Sequence, residues 1–236
     1  REASEKQPLT GIAISHPAPG QGGGTNQDRV FIDLNPAHPY ILVADGIRGR
    51  KETSFGGDAA QIVVDSMKNV VKTWDFKRGH GIRPMSELTQ TAFKAANEAV
   101  GEAGTRGPKK KGMGAAAALV VPVPTEEGPV VTVGSRGNVS VIIRELEKGR
   151  VGVKRITLED TVLRQRVEKG ELTVADAEDP KDEETRSARG VLNDAVMGQE
   201  WVPLAGQIMR ENGYRKRQLF YIPVTPGAWV LVMTDG

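Results

Sequence analysis

Pro39-Tyr40-Ile41-Leu42-Val43-Ala44-Asp45-Gly46 is an apolar, β-branched run that stops abruptly on a carboxylate and a glycine. A short continuous apolar run of this kind reads as a strand packed on both faces. Its echo lies at the other end of the sequence, where Trp229-Val230-Leu231-Val232-Met233-Thr234-Asp235-Gly236 delivers a second aspartate to a second strand tip. The sequence holds no other Asp-Gly dipeptide. A carboxylate at the mouth of a buried strand is costly unless paired, so something positive should meet it. Two such tips brought together suit a hard divalent cation, which takes carboxylate, carbonyl and water oxygens.

Immediately upstream, Asn26-Gln27-Asp28-Arg29 leads into an apolar stretch, Val30 to Leu34, followed by the turn formers Asn35-Pro36-Ala37-His38-Pro39. Neighbouring strands with a tight connection form a hairpin. That spacing places Asp28, at the start of one strand, beside Asp45, at the end of the other. Further upstream, the loose alternation of Leu9 to Ser15 predicts a first strand, and Pro17 to Thr25 a turn-rich loop. The glycines of 20–24 match neither Gly-x-Gly-x-x-Gly nor the P-loop pattern, so a plain loop is the reading.

Downstream of a loop at Ile47 to Glu52 the period becomes helical. Ala60, Val63, Val64, Met67, Val70, Val71 and Trp74 form one stripe, with Trp74 in the core. A second helix is predicted to start near Ser86, after Pro84, with Leu88, Ala92, Ala95, Ala96, Ala99, Val100 and Ala103 on one face. Strand patterns return at Gly114 to Val123, Val130 to Gly134, Val139 to Arg144 and Val151 to Ile156, with a hairpin turn at Glu147 to Arg150. Leu158 to Asn193 is charged and helix-leaning, and its acidic run at 179–184 reads as a solvated loop. Gln218 to Pro223 and Ala228 to Met233 read as a closing pair of strands around Thr225-Pro226-Gly227. The predicted architecture is α+β: two mainly antiparallel sheets in a sandwich, flanked by antiparallel helix pairs.

Composition sets limits on function. With 236 residues, 38% hydrophobic and 26% charged, the chain suits one globular domain, 1–236. A formal charge of +2 is too mild to argue for nucleic acid. The one basic run, Lys109-Lys110-Lys111, sits between glycines and reads as a solvated loop. The absence of cysteine excludes disulfides, thiolate metal sites and a cysteine nucleophile. His16, His38 and His80 are flanked by turn residues without ligand spacing and read as surface histidines. No run approaches a membrane span, and the first residues carry no apolar signal core. A soluble cytoplasmic protein is the expectation. Because the sequence stops on Gly236 directly after a strand, a further C-terminal portion is expected.

Six stretches together resemble the PP2C-type family of metal-dependent protein phosphatases. They are Asn26 to Arg29, Val43 to Gly46 with Gly49, Val131 to Gly134, Ile156 to Thr161, Glu168 to Thr173, and Met233 to Gly236. They fall in that family's order and at roughly its spacings. The resemblance implies a binuclear magnesium or manganese site at one edge of the sandwich. Asp45 would bridge both ions, the Gly46 carbonyl would bind one, Asp235 would complete the other, and Asp28 would hold coordinated waters. The implied activity is hydrolysis of phosphoserine or phosphothreonine in a protein substrate.

Departures from the pattern are equally legible. Gly23 stands where the family has an arginine for the substrate phosphate, and the span between Lys6 and Arg29 holds no arginine or lysine. Arg48, beside Asp45, is the nearest substitute. Gly114-Ala115-Ala116 replaces Gly-Thr-Thr, Gly134-Ser135-Arg136-Gly137 replaces Gly-Asp-Ser-Arg, and Glu159-Asp160 replaces Asp-His. Those losses keep a second reading open: a phosphatase-like module with little turnover that binds a regulatory partner or a phosphoprotein.

Overall fold

A computed structural model describes residues 10–14, 26–35, 37–47, 55–79, 81–106, 112–147, 150–157, 166–167, 169–173, 176, 206–207 and 218–234. The strands, in chain order, are β1 (Asp28–Asp33), β2 (Tyr40–Gly46), β3 (Ala115–Thr125), β4 (Gly128–Arg136), β5 (Ser140–Glu147), β6 (Arg150–Arg155), β7 (Gly206–Gln207), β8 (Gln218–Pro223) and β9 (Trp229–Met233). Helices α1 (Gly56–Thr73) and α2 (Ile82–Thr105) lie between β2 and β3. Six strands form one sheet in the order β1-β2-β3-β4-β8-β7, and three form another in the order β6-β5-β9. Pairing is antiparallel except between β7 and β8.

The opening run is packed on both faces, as its composition predicts. Tyr40, Leu42 and Ala44 join the core that the larger sheet makes with the helices, and Val43 joins the core between the sheets. The helical stripe behaves as expected: Ala60, Val63, Val64, Met67 and Val71 are buried, and Trp74 packs against them half-buried. Helix α2 begins earlier than predicted, at Ile82, with Pro84 inside its first turn. The first four amides of a helix have no internal acceptor, so a proline there removes nothing. Its buried face also includes Met85, Thr89, Phe93 and Asn97, while Ala95, Ala99 and Ala103 are only half-buried.

Three expectations are corrected. Residues 10–14 of the predicted first strand are not a strand, and Ile12 and Ile14 are exposed; their alternation is too weak to fix a ladder. His38 is not a bare surface residue, because its ring stacks on Phe76 with centroids 3.6 Å apart. The closing strands do not pair with each other. β8 pairs with β4 in the larger sheet and β9 with β5 in the smaller one.

The loop between β8 and β9 is therefore a corner rather than a hairpin turn. Val224 N–H donates to the Pro129 carbonyl at 3.0 Å, tying the exit of β8 to the start of β4. Thr225 N–H donates to Glu145 Oε1 at 2.8 Å, a carboxylate buried on β5 and 3.5 Å from Lys154 Nζ. Gly227, at φ +84°, supplies the left-handed conformation that completes the turn. Beyond it Val230 and Val232 face the core between the sheets, while Trp229, Leu231 and Met233 face outward. The second apolar run is thus one-sided, unlike the first.

The Ile156-Thr157 motif has a packing role. Buried Thr157 accepts the Val141 amide at 2.8 Å and donates to the Val139 carbonyl at 2.8 Å, pinning the end of β6 to β5. The turn at 166–171 is closed by an Arg166–Glu171 pair at 3.6 Å, and Thr173 and Asp176 cap each other. The expectations for most of 158–193, for His16, for His80 and for the Lys109 run lie outside the described residues.

Candidate functional site

Asp28 and Asp45 face each other directly across the β1–β2 hairpin. The Gly46 amide donates to the Gln27 carbonyl at 3.3 Å, which makes 27 and 46 a hydrogen-bonded pair. Alternation along an antiparallel ladder then makes 28 and 45 a non-hydrogen-bonded pair, the kind with the shorter Cα separation, about 4.5 Å. Both side chains lie on the face shared with Val43, Ala116 and Ala118, toward the smaller sheet. Like charges opposite each other destabilise a sheet. A cation between them would reverse that sign.

A third contribution comes from the smaller sheet. Thr234, just past the end of β9, donates from Oγ1 to Asp28 Oδ2 at 3.3 Å. The tip of β9 is thereby joined to the tips of β1 and β2 across the sandwich edge. Asp235, the next residue, and Arg48 lie outside the described residues. Among the described residues, no group of three or more carboxylates and imidazoles forms.

Gly46 owes its identity to the start of α1. A Cβ on Gly46 would fall onto the backbone carbonyl of Gly56, and a Cβ on Gly56 would sit 2.5 Å from Gln27 Oε1 and 2.9 Å from the Gly46 oxygen. Helix and strand therefore approach backbone to backbone beside the carboxylate pair. On the other side of β2, Ala116 of β3 stands opposite Asp45, and the Gly114 carbonyl accepts the Ile47 amide at 2.9 Å. Ala116 and Ala118, on the same face as Asp45, leave one wall of the site apolar.

Sequence reasoning placed Asp28 beside Asp45 at one hairpin edge, as the register shows, and missed the groups that support them. Asn26 Oδ1 accepts the Asp28 amide at 2.9 Å, Thr234 binds the Asp28 carboxylate, and Gly56 makes room for Gly46. Gly56-Gly57 at a helix start was the available signal, since glycine is a poor helix former unless something must come close.

Two opposed carboxylates are oxygen donors of the kind hard divalent ions take, and among the described residues no third acidic or imidazole side chain completes a group with them. No model of a known protein family matches the sequence, and no curated protein is similar to it. Solved structures do match in fold. The Mycobacterium tuberculosis serine/threonine phosphatase PstP/Ppp superposes with a TM-score of 0.65 at 20% identity, over 89% of this chain and 72% of that one. The PstP catalytic domain in complex with two manganese ions gives 0.63 at 18%, over 93% and 73%. The serine/threonine phosphatase of S. agalactiae gives 0.64 at 18%, over 94% and 76%. The chain has the α+β sandwich fold of these PP2C-type phosphatases.

Proposed function

We propose that the chain is a magnesium- or manganese-dependent phosphatase that removes phosphate from phosphoserine or phosphothreonine in protein substrates. The observation that supports it is the direct opposition of Asp28 and Asp45 at a strand edge that Thr234 joins from the other sheet. In this reading Asp45, the Gly46 carbonyl and Asp235 would hold the ions, with Asp45 shared between them. When bound, such ions acidify a water and offset phosphoryl charge, so that hydrolysis needs no cysteine and no phosphoenzyme. Asp28 would hold the coordinated waters, and Thr234 holds the Asp28 carboxylate in place. Arg48 is the proposed phosphate ligand, standing in for the arginine whose place is taken by Gly23.

A second reading is favoured by that same glycine. A pocket without the guanidinium loses a charge-assisted clamp, about 1.5–3 kcal/mol per charged hydrogen bond. The chain would then bind a phosphoprotein or regulatory partner with little turnover.

Hydrolysis of an aryl phosphate and a phosphopeptide in manganese, by the full chain and by Asp45→Asn, separates the two. Turnover in the parent that Asp45→Asn abolishes supports the enzyme. No turnover, or equal turnover in both, removes it; phosphopeptide binding without hydrolysis then supports the second reading. Melting in EDTA and in Mn2+ gives an independent check. Mn2+ should raise the Tm of the parent and leave that of Asp45→Asn unchanged.

A further inference from the structure

We infer that Arg29 is a positioning residue that fixes the Asp28 carboxylate opposite Asp45. The inference rests on the metal-site reading above and adds to it a residue that touches neither ion nor substrate.

β1 is the edge strand of its sheet among the described residues. Since 28 and 45 form a non-hydrogen-bonded pair, the amide and carbonyl of Asp28 point away from β2, where no strand takes them. Two side chains do so instead. Asn26 Oδ1 accepts the Asp28 amide at 2.9 Å, and Arg29 Nη1 donates to the Asp28 carbonyl at 2.8 Å. The same Nη1 donates to the Asn26 carbonyl at 2.9 Å, holding the residue that caps Asp28.

The guanidinium is itself anchored to a rigid element. Arg29 Nε donates to Gln61 Oε1 of α1 at 2.9 Å, and Gln61 Nε2 donates to Asp65 Oδ2 one turn on, at 3.0 Å. Arg29 pairs with Ala44, whose side chain is in the helix-side core, so it lies on the face opposite Asp28. It acts on the carboxylate through the backbone alone. A planar fork can address two carbonyls and an amide oxygen at fixed angles, which a single ammonium cannot. Gly57 has its prospective Cβ 3.5 Å from Arg29 Nη2 and 3.6 Å from the Asn26 carbonyl, so the helix start packs directly on this clamp.

A staple that only held α1 to β1 would change stability and leave the site alone. The test is therefore the dissociation constant for Mn2+ alone, by calorimetry on the full chain well below Tm, with circular dichroism confirming the fold. Outer partners that hold coordinated groups in place, as Asp28 would hold coordinated waters, typically change metal affinity 10–100-fold when lost or displaced. Arg29→Ala is expected to weaken Mn2+ by about that factor, Gln61→Ala to weaken it less, and Arg29→Lys to fail as a rescue. Hydrogen exchange at the Asp28 amide in the metal-free chain should accelerate in the same order. Unchanged affinity in Arg29→Ala overturns the positioning role; if that variant does not fold, unchanged affinity in Gln61→Ala does so. A parent that binds no Mn2+, or binds it as well after Asp45→Asn, overturns the metal-site reading and this role with it.

Discussion

Gly46 and Gly56 meet backbone to backbone, and nothing larger than hydrogen fits at Gly46. Gly46→Ala should cost about 1–3 kcal/mol, the usual range for forced overpacking. Gly57→Ala, whose Cβ finds ordinary contacts at 3.5–3.7 Å, should be neutral or gain up to about 0.5–1 kcal/mol, because alanine suits a helix better. Urea unfolding of the three proteins checks the contrast; equal losses at both positions would show that the close approach is not what selects glycine. Residues of the site differ in how readable they were. Asp28 and Asp45 follow from counting along one hairpin, a local operation. The Asp28–Thr234 bond joins positions 206 apart, and the Arg29–Gln61 bond depends on how a helix is placed. No local pattern encodes either.

At the scale of elements, periodicity served wherever a segment packs against one large partner. Both helices and the strands β2 to β6 came out within a few residues because a stripe or a run of apolar side chains records a buried face. The pairing of β8 with β9 did not, since a short loop of turn formers looks the same whether the chain reverses or changes sheets. What decides between them is Glu145, 80 positions away from the amide it accepts. Glu145→Ala should destabilise by roughly 1.5–3 kcal/mol, the value of a hydrogen bond to a charged group. Lys154→Ala, at the half-exposed end of the same interaction, should cost less than about 1 kcal/mol. Denaturation midpoints test the ranking, and a larger loss at Lys154 would refute this account of the corner. The long apolar run of β9 misled for a related reason: composition alone does not say whether a strand has one neighbouring layer or two.

Across the molecule, the described residues form two cores, one between helices and sheet and one between sheets, and Tyr40 lies in the first. Burial pushes its phenol up to about 12, and Asp33, opposite it on β1, adds to the shift. Tyr221 moves the same way, mainly by burial and secondarily through Glu127. A raised folded-state value means that the native chain holds these protons more tightly than the unfolded chain does. For Tyr40 that part of the stability is complete below pH 10 and is lost as pH rises from 10 through about 12. Tyr40→Phe should flatten the decline, measured as Tm against pH, and should remove one late-titrating phenol from the absorbance at 295 nm. A parent whose tyrosines all titrate near pH 10 would contradict it.

The bond between Thr234 and Asp28 also has a temporal meaning. Synthesis runs from the amino terminus, so Asp28 and Asp45 leave the ribosome early. Thr234 follows some two hundred residues later. Until then a nascent chain lacks the strand tip that joins Asp28, and any chemistry that needs this edge complete must wait for translation to reach it.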